Sequence, residues 1–226
     1  MRIRTCYELH TGKLTKPVSF GVVSDLHDEP YEDLWPLLKD CDALLVPGDV
    51  VNRYTQTFDR GVGFLRDAAR RMPTFFSLGN HETKMQSFRT LMQALESTGA
   101  EILVNRYVPF GECWIGGWYD PEIVQKPDCM DEFEKLPGCR VLLCHKPEHY
   151  LKFLRSRDVD LVVAGHAHGG QVRIGSQGLY APGQHFFPKY TKGVVDGRLI
   201  ISAGAGNPCG MPRWGNPCEV LKITLD

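Results

Sequence analysis

The chain has 226 residues, 42% of them hydrophobic and 23% charged, and its formal net charge is -1. These are ordinary globular values, which exclude a disordered chain, and the length predicts one domain over residues 1–226 without a separate cap domain. The weak net charge gives no field that would hold a polyanion, so we expect no nucleic-acid partner.

The N-terminal residues and the cysteines indicate where in the cell the protein is expected. The first ten residues include basic side chains but lack the apolar run of a signal peptide. No stretch of the sequence approaches the roughly 20 apolar residues of a membrane span. We therefore expect a cytoplasmic protein without a membrane segment, in which the eight cysteines stay as thiols.

Predicted strands and helices alternate through the first half of the chain, a pattern typical of an α/β fold. Short apolar runs predict strands at Val18–Ser24, Ala43–Val46 and Thr74–Leu78. Apolar residues at helical spacing predict helices at about Tyr31–Lys39, Thr55–Arg71 and Met85–Ser97. Each of the three strands runs into residues that can bind a metal ion.

The first two strands are followed by carboxylates. Asp25 and His27, two residues apart, point the same way in an extended segment and can share one metal ion, although a polar turn explains them equally well. Asp49 follows Gly48, which lets the backbone approach a ligand, and its carboxylate can bridge two cations. Arg53 suits a bidentate grip on a phosphate, with a solvated helix-start residue as the alternative.

The third strand leads into Gly79–Glu82. Asn80 offers a neutral oxygen ligand, His81 a base or a donor, and Glu82 a carboxylate suited to the first turn of the next helix. A structural interpretation makes Asn80 the N-cap of that helix and Glu82 a partner of its dipole. Both roles can hold at once.

The middle of the chain predicts further strands. Short ones are expected at Glu101–Val104, Tyr107–Phe110 and Glu112–Trp118. Asp120–Gly138 is polar and rich in proline, which predicts a rim loop over the site or a plain surface connection, with a short helix near Asp131–Leu136.

Two buried strands then deliver histidines. Arg140–Cys144 ends at His145, and Asp160–Ala164 ends at His166 and His168, with a helix predicted between them at Pro147–Arg155. Beyond Gly170 we expect a second, largely antiparallel sheet of strands at Gln171–Ile174, Gly193–Val195, Arg198–Ser202 and Glu219–Leu225. The loops between them carry four aromatic residues that could line a substrate cleft or pack beneath a long loop: Phe186, Phe187, Tyr190 and Trp214.

Seven residues of metal-ligand type thus fall at the ends of five predicted strands, where open α/β sheets build their sites. Seven exceed the four ligands of one tetrahedral zinc, and mixed His, Asp and Asn donors suit two divalent ions such as Mn, Fe or Zn. Two ions bridged by a carboxylate and a hydroxide form the clamp used for in-line attack on phosphorus, so we predict hydrolysis of a phosphate ester. The seven are Asp25, His27, Asp49, Asn80, His145, His166 and His168.

The ordered fragments D-x-H, G-D, G-N-H-E, H and G-H-x-H resemble the motifs of the calcineurin-like metallophosphoesterase family over roughly Val18 to Leu225. The resemblance implies a four-layer α/β/β/α sandwich of two mixed β-sheets flanked by helices. It also implies that Asp25, His27, Asp49 and His168 hold one ion, that Asp49 bridges to a second held by Asn80, His145 and His166, and that His81 approaches the phosphoryl oxygen or the leaving group.

The sequence departs from the protein phosphatases of this superfamily, whose motif G-D-x-x-D-R-G has Asp and Gly where this chain has Asn52 and Tyr54. The intact G-H-A-H and the C-terminal K-Y-T-K-G segment resemble the small phosphodiesterases related to YkuE and YaeI. That branch implies a phosphodiester or pyrophosphate bond in a small nucleotide-like substrate, with His81, Asp49 and Arg53 as catalytic residues. A phosphomonoesterase or protein phosphatase is the alternative, and a non-catalytic protein-binding scaffold is a more remote one.

Overall fold

The computed structural model describes residues 2–55, 57–118, 129–208, 210 and 212–226. Its strands, numbered in chain order, are β1 (Ile3–Leu9), β2 (Val18–Val22), β3 (Ala43–Val46), β4 (Thr74–Phe76), β5 (Glu101–Ile102), β6 (Arg106–Phe110), β7 (Cys113–Gly117), β8 (Cys139–Leu143), β9 (Leu161–Ala164), β10 (Arg173–Ile174), β11 (Gln177–Gly178), β12 (Tyr180–Ala181), β13 (His185–Phe186), β14 (Gly193–Val195), β15 (Leu199–Ile201) and β16 (Glu219–Leu225).

The described strands form two six-stranded mixed sheets. The first has the order β1-β16-β2-β3-β4-β5, and β2 to β5 are parallel to one another. The second has the order β14-β15-β9-β8-β7-β6, with β15, β9, β8 and β7 parallel and the two edge strands antiparallel to their neighbours. Every residue of β3, β8 and β9 is buried, as expected for parallel strands covered on both faces.

Short helices cover the outer faces of the sheets. They are α1 (Trp35–Leu38, preceded by a 3₁₀ turn at Glu32–Leu34), α2 (Asp59–Arg71), α3 (Asn80–Thr83), α4 (Phe88–Glu96), α5 (Met130–Phe133) and α6 (Pro147–His149, followed by a π-helical turn at Tyr150–Leu154). None of the helices in the described ranges is long and apolar enough to cross a membrane. Helix α2 ends before Pro73, which cannot continue a helix.

Three apolar clusters hold the layers together. Between the sheets, Phe20 and Leu45 of the first sheet pack with Val141 and Val163 of the second. Leu65 of α2 and Leu91 of α4 join the cluster on the outer face of the first sheet, as do Leu44 and Phe76. A third cluster joins the second sheet to α5 and the π-helical turn. The predicted four-layer α/β/β/α sandwich is therefore confirmed.

The placement of the C-terminal strands corrects the prediction. The strand predicted at Glu219–Leu225 does not belong to the second sheet but lies in the first, between β1 and β2. Its Leu221, Ile223 and Leu225 face the core between the sheets. The alternation of apolar residues indicates which face of a strand is buried, but not which strand lies beside it.

Two further predictions need correction. The second sheet is not largely antiparallel, because its four central strands are parallel. Of the strand predicted at Gln171–Ile174, only two residues pair, in the small hairpin of β10 and β11. Residues 120–128 of the predicted rim loop at Asp120–Gly138 lie outside the described residues, and the helix predicted near its end is α5.

Candidate metal centre

The residues after five strands, β2, β3, β4, β8 and β9, meet in one region. Backbone hydrogen bonds join the loops: the Asp25 N–H donates to the Gly48 carbonyl and the His27 N–H to the Asp49 carbonyl, both at 3.1 Å. The Gly165 N–H likewise donates to the His145 carbonyl at 3.0 Å. The sequence predicted one sheet edge, whereas the structure brings together strand ends from both sheets.

The backbone at these positions is unusual. Asp25, His27, Asp49, His166 and His168 all have φ between 46° and 67°. This left-handed region costs a non-glycine residue on the order of 1–3 kcal/mol, and such residues cluster at active sites. The surrounding hydrogen bonds thus impose a conformation that these residues would not adopt in isolation.

The first cluster contains Asp25, His27 and His168, whose ligand atoms lie within 4.8 Å of one another. The Nε2 atoms of the two histidines are 3.3 Å apart, and Asp25 Oδ1 lies 3.9 Å from the first and 3.6 Å from the second. The backbone N–H of His166 donates to the Asp25 carboxylate at 3.0 Å. All three side chains are buried.

The second cluster contains Asp49, His145 and His166, with Asn80 beside them. His145 Nε2 lies 3.2 Å from Asp49 Oδ2 and 3.2 Å from Asn80 Oδ1. The opposite nitrogen, Nδ1, donates to the Pro47 carbonyl at 2.7 Å, which fixes the ring orientation.

A third group joins the two clusters. His27, Asp49 and His81 also have ligand atoms within 4.8 Å of one another, so His27 belongs to the first and third groups and Asp49 to the second and third. The Asp49 carboxylate accepts the backbone N–H of His81 at 2.7 Å. His27 and Asp49 are therefore the two residues through which the third group connects the clusters.

Close packing around Asp49 explains why glycine occupies positions 48 and 79. A Cβ on Gly79 would lie 2.1 Å from Asp49 Oδ1, and one on Gly48 would lie 2.5 Å from the Gly79 nitrogen. Helix α3 starts at Asn80 itself, with Gly79 in the preceding position, so the alternative role of Asn80 as N-cap is wrong. The two glycines let the loops after β3 and β4 touch each other.

Buried charge sets the electrostatics of the second cluster. Burial would raise the pKa of Asp49, but the charge of His145 and its hydrogen bond hold it well below the ordinary value. Burial would lower the pKa of His145, but the charge of Asp49 and the hydrogen bond to it raise the value to about 9. The two groups thus form a buried ion pair when no metal ion is bound.

The other four histidines of the centre, His27, His81, His166 and His168, are neutral near pH 7. Burial lowers the pKa of His27 to about 3 and that of His168 to about 4. Burial also places the pKa of His166 well below its ordinary value and lowers that of His81. Neutral imidazoles keep a lone pair, which is the form that binds metal ions.

The donor set fits a pair of divalent ions. At the second cluster His145 Nε2, Asp49 Oδ2 and Asn80 Oδ1 converge on one spot that only a proton or a cation can occupy. In the first cluster His27 Nε2, His168 Nε2 and Asp25 Oδ1 converge in the same way, with the two nitrogens 3.3 Å apart. Nitrogen and oxygen donors of this kind suit borderline divalent metals.

His81, Arg53 and Asp49 line an open cleft with a volume of about 600 Å³. The backbone N–H of Arg53 donates to His81 Nδ1 at 3.2 Å, so the neutral ring carries its proton on Nε2. The guanidinium donates to the hydroxyl of Tyr54. Arg53 is therefore half-buried beside the site rather than a solvated helix-start residue, because α2 begins only at Asp59.

The cleft walls contain residues that the sequence did not single out. Basic side chains line it, and besides Asp49 it contains the carboxylate of Glu148, which accepts a hydrogen bond from the Gln184 amide at 2.7 Å. Phe186, Phe187, Tyr190 and Trp214 are not among the described residues that line the cleft. Phe186, Phe187 and Trp214 are instead exposed, at 71%, 70% and 78%. The basic side chains are those of Arg53, Lys84, Lys146 and Lys152.

Two C-terminal residues that the sequence analysis missed hold the G-H-A-H loop. Arg213 donates to the carbonyls of His168 at 3.3 Å and Gly206 at 2.9 Å, and to that of Ala203. The amide of Asn216 donates to the His168 carbonyl at 2.8 Å. Both residues lie in a segment without periodicity, and no sequence pattern indicates what they contact.

Several known proteins have sequences that are related to the sequence of this chain. A metallophosphoesterase of Helicobacter pylori is 26% identical over 94% of this chain and 59% of its own length. The phosphodiesterase YaeI of Escherichia coli is 27% identical over 81% of this chain and 70% of its own length. The chain spans only 49% to 59% of the length of the first three curated relatives it matches.

A solved structure shares the fold. The protein TT1561 of Thermus thermophilus superposes with a TM-score of 0.51 over 66% of this chain and 82% of its own, at 12% identity. The model of the family "Calcineurin-like phosphoesterase" matches residues 18–170, more than half of the chain and a range that includes every predicted ligand. The chain therefore belongs to the calcineurin-like phosphoesterase family, whose members are metal-dependent phosphoester hydrolases.

Proposed function

We propose that this protein is a dinuclear phosphodiesterase that hydrolyses a phosphodiester or pyrophosphate bond in a small nucleotide-like substrate. Asp25, His27, Asp49 and His168 would hold one divalent ion, and Asp49 with Asn80, His145 and His166 would hold the other. We also propose that residues 1–226 act as one domain. The ions would be Mn, Fe or Zn, as the mixed donors suggest.

The position of Asp49 carries this proposal. Its carboxylate belongs to two of the three groups of ligand atoms, and those groups connect the loops of both sheets. A single ion would need no such shared carboxylate. Two ions held there would supply the nucleophile and offset the charge of the phosphoryl oxygens.

His81 and Arg53 would act on the substrate itself. His81 is neutral, because burial lowers its pKa, and the N–H of Arg53 occupies its Nδ1. The proton on Nε2 can therefore be donated to a phosphoryl oxygen or to the leaving group. The guanidinium of Arg53 lines the cleft and would offset negative charge on the equatorial oxygens.

Two observations favour a diester over a monoester. A relative that covers most of this chain is named a phosphodiesterase. The cleft has a volume of about 600 Å³, which would leave room for an organic group on either side of a phosphorus atom. A phosphomonoesterase remains the alternative outcome of the experiment.

The test is hydrolysis of bis-p-nitrophenyl phosphate and p-nitrophenyl phosphate by protein stripped with a chelator and reloaded with Mn, Fe, Zn, Ni or Mg. We expect two ions per chain and a ratio of diester to monoester activity above one. A ratio below one would indicate a monoesterase. Two bound ions without turnover would favour a scaffold, and no bound ion would refute the metal centre.

His81→Ala separates binding from chemistry. We expect this variant to keep both ions and to lose kcat by about 10²- to 10⁴-fold, the usual contribution of a general acid. Loss of metal from the variant would instead show that His81 is a ligand. His185→Ala, which removes an exposed histidine outside the cleft lining, is the matched control and should retain kcat within a few-fold.

A further inference from the structure

Tyr54 has an unusual position for an exposed aromatic residue. Its side chain is 74% exposed, yet it lines the cleft beside His81. The two ring centroids are 5.7 Å apart and the rings meet edge to face at 88°. The ring thus stands at the mouth of the candidate site and is not covered by the core.

Hydrogen bonds fix the turn that carries this ring. The Thr55 N–H donates to the Asn52 carbonyl at 3.0 Å, and the Tyr54 N–H donates to Asn52 Oδ1 at 3.1 Å. The turn is tied to the loop after β2, because the Asn52 N–H donates to Asp28 Oδ2 at 2.7 Å. The backbone under Tyr54 is therefore held in place relative to the candidate metal centre.

The side chain of Tyr54 is ordered as well. The Arg53 guanidinium carbon lies 4.7 Å from the ring centroid, and the same group donates to the Tyr54 hydroxyl. A guanidinium over an aromatic ring is a favourable cation–π contact. It restrains the ring while Tyr54 stays 74% exposed to solvent, so little conformational entropy would be lost when a ligand packs against it.

An ordered, accessible aromatic ring beside a phosphoryl site can bind a flat aromatic group by stacking. The lysines of the cleft can bind anionic groups but do not distinguish one organic substituent from another. Tyr54 is the cleft residue next to His81 that can make this distinction. An aliphatic substituent would gain less from the ring, because it has no π-face to stack.

We propose that Tyr54 is a specificity-determining residue whose ring stacks on a flat aromatic group, such as a nucleobase, carried by the phosphate ester. This inference rests on the proposed function and specifies the substrate class. The phosphate would lie over Asp49 and His81, and the aromatic group would lie against Tyr54 at the cleft mouth.

Equilibrium binding tests the proposal without turnover. Adenosine 5′-monophosphate and ribose 5-phosphate share a sugar and a phosphate and differ in the base. By calorimetry on metal-loaded protein, we expect the nucleotide to bind about 5- to 100-fold more tightly, the range of base–aromatic stacking. Tyr54→Phe should keep the preference and Tyr54→Leu should abolish it, with the affinity for ribose 5-phosphate unchanged within about twofold.

The control is Tyr180→Leu, which removes a tyrosine outside the cleft lining and should leave both affinities unchanged. Equal losses for both ligands in Tyr54→Leu, or the same loss in Tyr54→Phe, would overturn the proposal. So would a wild-type protein with no preference for the nucleotide, even if it bound two ions and hydrolysed bis-p-nitrophenyl phosphate. Metal content, counted separately, would show whether the proposed function had failed instead.

Discussion

The Glu82 carboxylate lies directly behind Asp49 and accepts its backbone N–H at 2.8 Å. The same carboxylate accepts the N–H groups of Gly79 at 2.7 Å and Val51 at 3.1 Å, and it is fully buried. Glu82 therefore ties the loop after β3 to the loop after β4. Burial, followed by the charge of Asp49, raises its pKa to about 7, although the three N–H donors oppose this shift.

Replacing Glu82 by Gln should weaken this connection. A glutamine amide would turn an NH₂ group toward at least one of the three backbone N–H donors and leave that donor unsatisfied. We expect Glu82→Gln to lower the free energy of unfolding by about 1–3 kcal/mol and to weaken metal binding. Urea denaturation and metal content would measure both effects. The exposed Glu96→Gln on α4 is the control, and equal behaviour of the two variants would refute this role.

The two aspartates of the centre should differ in their effect on metal content. Asp49 belongs to two groups of ligand atoms, whereas Asp25 belongs only to the first cluster. We expect Asp49→Asn to bind less than about one ion per chain and to be inactive, and Asp25→Asn to keep about one. Elemental analysis after dialysis gives the counts, with the exposed Asp59→Asn as control. Equal losses in both variants would argue against a bridging Asp49.

Much of the site could be predicted because its signals are local. Each ligand lies within a few residues of the end of a short, largely apolar strand, and a glycine lies beside most of them, so position along the chain predicted position near a strand end. Asn80 and His81 are adjacent and still have different surroundings, because α3 starts there. What local patterns could not show is that the strand ends belong to two sheets.

The missed features all depend on contacts between distant parts of the chain. Strand β1 is at a sheet edge and only partly buried, so its sequence lacks the apolar run of β3. Glu219 looks like an ordinary charged strand residue, yet its buried carboxylate accepts the Ala203 N–H at 2.8 Å and contacts Lys192. Contacts between distant segments determine whether such residues are buried and what they bind. The periodicity of a single segment gives no information about those contacts. The cytoplasmic location stays a prediction.

Metal binding at the second cluster should release a proton. The pKa of His145 is about 9 in the metal-free protein, so at pH 7.5 the ring carries a proton that an ion must displace. We expect about one proton per ion bound there, and an affinity that falls about tenfold for each unit of pH below 9. Calorimetry in two buffers with different ionisation enthalpies measures this number. Identical heats in both buffers would contradict it.

The same pKa predicts how the stability of the metal-free protein depends on pH. Because folding raises the pKa of His145, its stabilising contribution is complete below about pH 6.5 and is lost as the pH rises toward 9. We therefore expect chelator-treated protein to lose stability between these values. Urea midpoints across this range test the sign, and protein with both ions bound should not show the decline.

Arg213 should matter for the metal centre although it is not a ligand. Its guanidinium donates to the carbonyls of His168 and Gly206, and it also contacts Ala203 and Gly204. Arg213→Ala would remove one donor from each of these carbonyls, while the His168 carbonyl would keep the Asn216 amide and the Gln171 N–H and the Gly204 carbonyl would keep the Glu219 N–H. We expect the variant to lower the free energy of unfolding by about 2–4 kcal/mol and to weaken metal binding at the first cluster. Arg213→Lys should recover only part of the loss, because an ammonium lacks the planar fork that reaches several carbonyls. Urea denaturation with and without metal measures the effect.

The control for this prediction is the exposed Arg89→Ala, which should stay within about 0.5 kcal/mol of wild type. An Arg213→Ala variant that did the same would show that the G-H-A-H loop holds its shape without this residue.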